Sequence, residues 1–194
     1  MKRIPFTADL GTARQVPSGP PEVRAVASHE GARARERPGD PPGTAGPPRA
    51  AVYLVPGRLH AASEPTAITT VLGSCVAVCL HDPLASVGGM NHYLLPWPAP
   101  HERSARFGSI AIESLLESVL RLGAHQPRLR AKVFGGAGLL PGGPGGSLGD
   151  DNARLAYRQL GELDIPILDG DVGGSRGRRL VFHTDTGDAW VRLI

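Results

Sequence analysis

Residues 69–96 read TTVLGSCVAVCLHDPLASVGGMNHYLLP, and the way this stretch folds decides the architecture. It holds both cysteines of the chain, and its pattern predicts a β-hairpin. Val76–Leu80 is an unbroken apolar run, as in a strand covered on both faces. His81-Asp82-Pro83 supplies turn chemistry. Val87–Leu95 then resumes an apolar pattern that stops at Pro96. With the turn centred between Pro83 and Leu84, antiparallel pairing sets Cys75 directly opposite His92. Opposed residues share a face, with Cβ atoms about 5 Å apart. A thiol beside an imidazole is the arrangement that cysteine nucleophiles use. A one-residue slip would put the two side chains on opposite faces.

Gly73 and Ser74 precede Cys75 and place it at the mouth of the strand. Small residues there admit a substrate and leave backbone N–H groups to serve as an oxyanion hole. The plainer fate of a free cysteine is that of a small buried hydrophobe, and this is the reading for Cys79, between Val78 and Leu80. The two sulfurs would lie about 13 Å apart along one strand, outside disulfide reach. Without CxxC spacing they give no zinc site. His92, between Asn91 and Tyr93, is either the partner of Cys75 or a satisfied core histidine. The remaining histidines (His29, His60, His81, His101, His125, His183) lack ligand spacing, so neither metal nor cofactor is expected. Thr69 reaches the imidazole if the chain folds back at Gly73; otherwise it is an ordinary strand threonine.

Outward from the hairpin, short strands are predicted at Ala51–Val55, Leu59–Ala62 and Ala67–Leu72. A helix follows the Pro-rich loop 97–105. Ser109 is its expected N-cap and Gly123 its C′ residue, with Ile112, Leu115, Leu116, Val119 and Leu122 as its apolar stripe. Leu129–Phe134 is a strand in which Arg130 and Lys132 alternate with apolar residues. Gly135–Gly149 reads as a flexible glycine-rich loop, without P-loop or dinucleotide spacing. A second helix starts at Asp150 or Asp151 and ends near Gly161. Ile165–Leu168 is a strand, Asp171–Gly174 a turn, and Leu180–His183 with Ala189–Ile194 a last hairpin. Many strands and two separated helices indicate an α+β layered sandwich of mixed or antiparallel sheet, not a parallel βαβ sheet.

Residues 1–50 carry 9 of the 19 prolines and little apolar sequence, so a disordered extension is expected there, with one domain over 51–194. The extension also accounts for the net charge of +3: it holds 8 Lys+Arg against 5 Asp+Glu, and the rest of the chain is balanced at 13 of each. A basic tail without aromatic interleaving argues against nucleic-acid binding. No apolar run approaches the ~20 residues of a membrane helix, and the first residues do not form a signal peptide. A cytoplasmic protein without membrane insertion is expected.

The run Thr69–Cys75 followed by Gly88-Gly89-Met90-Asn91-His92 resembles the CheD chemoreceptor glutamine deamidases. Further matches follow in order: Arg106-Phe107-Gly108, Lys132–Ala137, Gly149 with Asn152, Asp171–Gly174 with Gly177-Arg178, and Thr186-Gly187. The likeness spans residues 51–194. It implies a fold similar to the catalytic domain of cytotoxic necrotizing toxins. By the same resemblance Cys75 is the nucleophile, His92 the general base and acid, and Thr69 the residue orienting His92. Gly73 and Ser74 form the oxyanion loop. A thiolate–imidazolium pair is the expected reactive form. The implied reaction is deamidation of glutamines in the cytoplasmic region of methyl-accepting chemoreceptors, with glutamyl methyl-ester hydrolysis by the same steps. A CheC-type phosphatase is the implied partner. A non-catalytic adaptor that binds receptors or such a phosphatase is the alternative, and a cysteine hydrolase of another amide is a third reading. Two features depart from the family: Gly149-Asp150-Asp151, where a basic residue is usual before Asn152, and the glycine-rich insertion at 141–147 together with the proline-rich tail.

Overall fold

The structure is a computed structural model that describes residues 1–5, 48–138 and 146–194. The disorder expected for residues 6–47 and the flexibility expected for 139–145 fall outside the described residues. Among the described residues, ten strands and two α-helices are arranged as two five-stranded sheets with the helices on one side, the α+β class expected. The strands are β1 (Lys2–Ile4), β2 (Ala50–Tyr53), β3 (Arg58–Ala62), β4 (Thr66–Leu72), β5 (Val76–Asp82), β6 (Val87–His92), β7 (Arg130–Gly135), β8 (Ile167–Val172), β9 (Arg178–His183) and β10 (Ala189–Leu193). The helices are α1 (Gly108–Arg121) and α2 (Leu148–Glu162).

One sheet runs β3-β6-β5-β7-β8 and the other β1-β10-β9-β4-β2. Pairing is mostly antiparallel; β2 with β4 and β7 with β8 are parallel. The β7–α2–β8 segment is therefore a βαβ crossover inside a mainly antiparallel design. Because β5 is central, its apolar run is buried on both faces. Val76, Val78 and Leu80 pack with the helix residues Ile112, Leu115, Val119, Leu155 and Leu160. Ala77 and Cys79 pack with Ile68, Leu72, Phe134, Leu180 and Phe182 between the sheets. Burying a side chain of this size stabilises by about 1.5–3 kcal/mol, so both layers depend on the alternation of one strand.

The hairpin turn is centred one residue later than expected, because β5 pairs Cys79 with Met90 and Asp82 with Val87. The Asp82 carboxylate explains the shift. It accepts from the amides of Leu84 and Ala85 at 3.0 and 3.2 Å and so widens the turn to four residues, with Ser86 at φ 52° closing it. The same carboxylate accepts from His125 N and Arg128. Burial alone would raise its pKa, but these donors hold it at about 2.

Two other expectations change, and Lys132 takes a place that the sequence left open. The extension enters the fold: β1 pairs with β10, and Ile4 is buried between the sheets. Lys132 is buried, because β7 is sandwiched at that end; its Nζ donates to Ile4 O and Gly187 O at 2.8 Å each. The helices start earlier than expected. Phe107 is the N-cap of α1, whereas α2 begins at a capping box between Ser147 and Asp150. Gly123 does end α1, at φ 100°, but Leu122 has left the apolar stripe and is exposed.

Candidate active site

Cys75 lies just before β5 and His92 at the end of β6, at the same end of the molecule. The shifted turn sets His92 across from Ala77, two residues from Cys75, instead of across from Cys75 itself. Side chains alternate along a strand, so residues 75, 77 and 92 still share one face. That face looks into the space between the sheets, where Cys75 packs against the apolar cluster containing Ala77 and Cys79. Diagonal neighbours of this kind lie about 7–8 Å apart, within reach of an imidazole. Cys75 is half-buried and His92 almost fully buried.

The hydroxyl that meets His92 belongs to Thr70, not to Thr69. Thr70 Oγ1 lies 2.8 Å from His92 Nδ1 and 2.7 Å from Leu54 O. The reason is strand parity. Ile68, Thr70 and Leu72 face the space between the sheets, whereas Ala67, Thr69 and Val71 face the other way. Ile68 and Leu72, apolar and flanking Thr70, carried that signal in the sequence.

This contact fixes the histidine tautomer. A carbonyl only accepts, so the single Thr70 hydroxyl proton goes to Leu54 O. Thr70 Oγ1 must then accept from His92 Nδ1–H. Nε2 is left with a bare lone pair, and it is buried without a hydrogen-bond partner among the described residues. Burial draws the imidazole pKa from 6.5 down to about 4, partly opposed by the Leu54 carbonyl. Burial likewise pushes the Cys75 thiol up, with its own backbone amide acting the other way. Burial thus disfavours the charged form of both groups, the thiolate as well as the imidazolium. Such a site suits proton transfer coupled to attack. Cys79, fully buried, has its thiol pushed far up by burial and lies against Lys132.

The segment Gly73-Ser74-Cys75 is held from outside by its carbonyls. Gly73 O accepts from Ala137 N at 2.8 Å, Ser74 O from Asn152 Nδ2 at 3.0 Å, and Cys75 O from Gly136 N at 2.8 Å. The amides of Ser74 and Cys75 have no bond to another described residue. The start of the glycine-rich loop is thus a wall of the site and not a loose edge. Gly135 has φ 113°, and a Cβ there would collide with the Cys75 carbonyl, so only glycine fits. Arg178 reinforces this wall. It donates to Gly135 O and Gly173 O and pairs with Asp171 at 3.2 Å. Among the described residues no group of three or more His, Cys, Asp or Glu is arranged to hold a metal ion. Nor is any described helix long and apolar enough to cross a membrane.

The profile of a family described as CheD chemotactic sensory transduction matches residues 94–193. A protein of Anaeromyxobacter dehalogenans named "Probable chemoreceptor glutamine deamidase CheD 1" is 58% identical over 163 residues, covering 84% of this chain and 94% of its own. The chain belongs to the CheD family. A CheD protein of Trichlorobacter lovleyi, named in the same terms, is 46% identical over 73% of this chain and 89% of its own. One from Shewanella oneidensis is 44% identical over 75% and 73%. A solved structure of a Neisseria meningitidis protein, 11% identical and covering 75% of each chain, superposes with a TM-score of 0.42.

Proposed function

We propose that this protein converts glutamine side chains to glutamate in the cytoplasmic region of methyl-accepting chemoreceptors, with Cys75 as nucleophile. The observation that carries the mechanism is the hydrogen-bond chain from His92 Nδ1 through Thr70 to Leu54 O, which leaves Nε2 as a base on the face it shares with Cys75. The names of the CheD relatives support the substrate.

In the first half-reaction His92 Nε2 takes the thiol proton as Cys75 Sγ adds to the side-chain amide carbon. Negative charge builds on the amide oxygen, where the free N–H groups of Ser74 and Cys75, in the loop opened by Gly73, receive it. His92 Nε2–H then gives its proton to the departing nitrogen, ammonia leaves, and a thioester remains. In the second half-reaction His92 removes a proton from water as its oxygen attacks the thioester carbon. Collapse releases glutamate and returns the proton to the thiol. Hydrolysis of a glutamyl methyl ester follows the same path with methanol leaving. A CheC-type phosphatase as partner belongs to the same family reading.

A receptor-binding adaptor without catalysis has no use for a tautomer-fixing threonine behind a buried histidine. The deciding experiment is incubation with a purified chemoreceptor cytoplasmic fragment followed by peptide mass spectrometry. A mass increase at specific glutamines, lost with Cys75→Ala, supports the reading. An unchanged fragment with the wild-type protein rejects it.

A further inference from the structure

We infer that Asn152 of α2 is a positioning residue that aims the Cys75 N–H at the carbonyl oxygen under attack. This deepens the deamidase reading and rests on it. Asn152 is wholly buried, and its amide nitrogen bridges two loops: Nδ2 donates to Ser74 O at 3.0 Å and to Leu94 O at 2.9 Å. Ser74 O and Cys75 N belong to one peptide group. That group is trans, as no cis peptide is present, so its C=O and N–H point in opposite directions. Holding the carbonyl toward α2 turns the Cys75 N–H away from α2, and this N–H belongs to the residue that carries the nucleophile. An N–H beside the nucleophile is where the oxyanion forms.

The holding arm is itself held. The Tyr93 hydroxyl donates to Asn152 O at 2.7 Å, one residue beyond His92 in the chain. Gly149, three residues before Asn152 and on the same side of α2, packs against the Gly136–Ala137 backbone with no room for a Cβ. Those two residues supply the amides that bind Cys75 O and Gly73 O. One helix turn therefore fixes the orientation of the loop, while His92 is oriented independently by Thr70.

This separation gives the test. Alkylation of Cys75 by iodoacetamide displaces iodide at a saturated carbon and develops no oxyanion, so the Cys75 N–H enters it only through its modest effect on thiol ionisation, whereas deamidation also needs that N–H at the oxyanion. Losing an oxyanion donor costs about 10²–10³ in rate, and misdirecting one costs less. For Asn152→Ala, kcat for deamidation of a chemoreceptor cytoplasmic fragment is expected to fall about 10- to 100-fold, with KM within about twofold. Its alkylation rate and pH profile should stay within about threefold of wild type. Asn152→Asp keeps the shape but cannot donate to both carbonyls; it should show the same split and carries the test if the alanine variant does not fold. Equal losses in both reactions would mean a collapsed site and overturn the inference, as would undiminished deamidation or a change confined to KM. Wild-type protein that alkylates but never deamidates would instead reject the deamidase reading itself, and the inference with it.

Discussion

Replacing Thr70 by valine, with Thr69→Val as its control, separates the geometry described above from the assignment that family spacing suggests. Valine keeps the shape of threonine and removes only the hydroxyl. At position 70 the change leaves two buried groups short of a partner: Leu54 O loses a donor at 2.7 Å and His92 Nδ1–H an acceptor at 2.8 Å. A buried unsatisfied group costs about 1–3 kcal/mol. For a domain of this size, each kcal/mol lowers the melting temperature by about 2–4 °C. A drop of roughly 3–10 °C is therefore expected after partial relaxation. The catalytic effect is separate. Without its acceptor the imidazole is free to carry its proton on Nε2 or to turn, and either removes the base. If orientation is worth one hydrogen bond, about 1.4–2.8 kcal/mol, kcat falls about 10- to 100-fold. Thr69 is half-buried on the opposite face, so valine there should cost under about 0.5 kcal/mol and less than twofold in rate. Deamidation of a receptor fragment, followed by mass spectrometry, reads the rates, and Thr70→Ser should restore most of the activity. Equal losses at the two positions, or full activity in Thr70→Val, would refute the tautomer argument.

Other expectations follow from the same geometry. Cys75→Ala should abolish deamidation in a protein that melts normally and still binds the receptor fragment, and His92→Ala should do nearly the same; retained turnover in folded Cys75→Ala would falsify the covalent mechanism. Iodoacetamide should label Cys75 in the native protein and Cys79 only after unfolding, a contrast that peptide mapping checks directly. Because burial holds His92 at about 4, kcat/KM should be flat from about pH 5.5 to 8, with an acid limb near 4; a limb near 6.5 would contradict the burial. The unfolded chain binds a proton at His92 below about 6.5 and the folded one only below about 4, so stability is highest above this window and falls as pH drops through it. That loss is on the order of 3 kcal/mol and should largely vanish in His92→Gln. Deleting residues 1–5 removes buried Ile4 and one acceptor of Lys132, and after the entropy of a short strand is offset the net loss should be about 2 kcal/mol, seen as a lower melting temperature.

The sequence made the hairpin legible because β5 is central. Only a strand covered on both faces reads as an unbroken apolar run from Val76 to Leu80. Its register was not legible to the residue, because the turn is set by tertiary donors. Asp82 accepts the amides of Leu84 and Ala85 while bonded to Arg128 and His125, which lie over 40 residues away. The error kept parity, so Cys75 and His92 remained on one face. The reading of Thr69 failed for the opposite reason: one residue of offset changes parity, and a chain-spacing argument cannot see it. The burial of Lys132 was not legible, because its partners, Ile4 O and Gly187 O, are distant backbone carbonyls. β1 carried no signal at all, since three residues cannot show a period.

These successes and failures share one physical cause. The proposed reactive pair comes from a single hairpin and is readable locally, but each group that positions it comes from another layer. Thr70 reaches His92 from the second sheet. Gly136 and Ala137 hold the Cys75 segment from the end of β7. Asn152 holds it from α2. In the proposed mechanism, a thiol and an imidazole whose charged forms burial disfavours would gain their reactivity from this surrounding frame. Loosening any one layer should therefore lower the rate before it unfolds the protein. Activity in mild denaturant should fall ahead of the loss of global structure, and iodoacetamide labelling of Cys79, the core sulfur two residues beyond Ala77, should rise only with the later transition. If activity and Cys79 labelling changed together at every denaturant concentration, the layers would be one cooperative unit and the site would have no separate dependence on their docking.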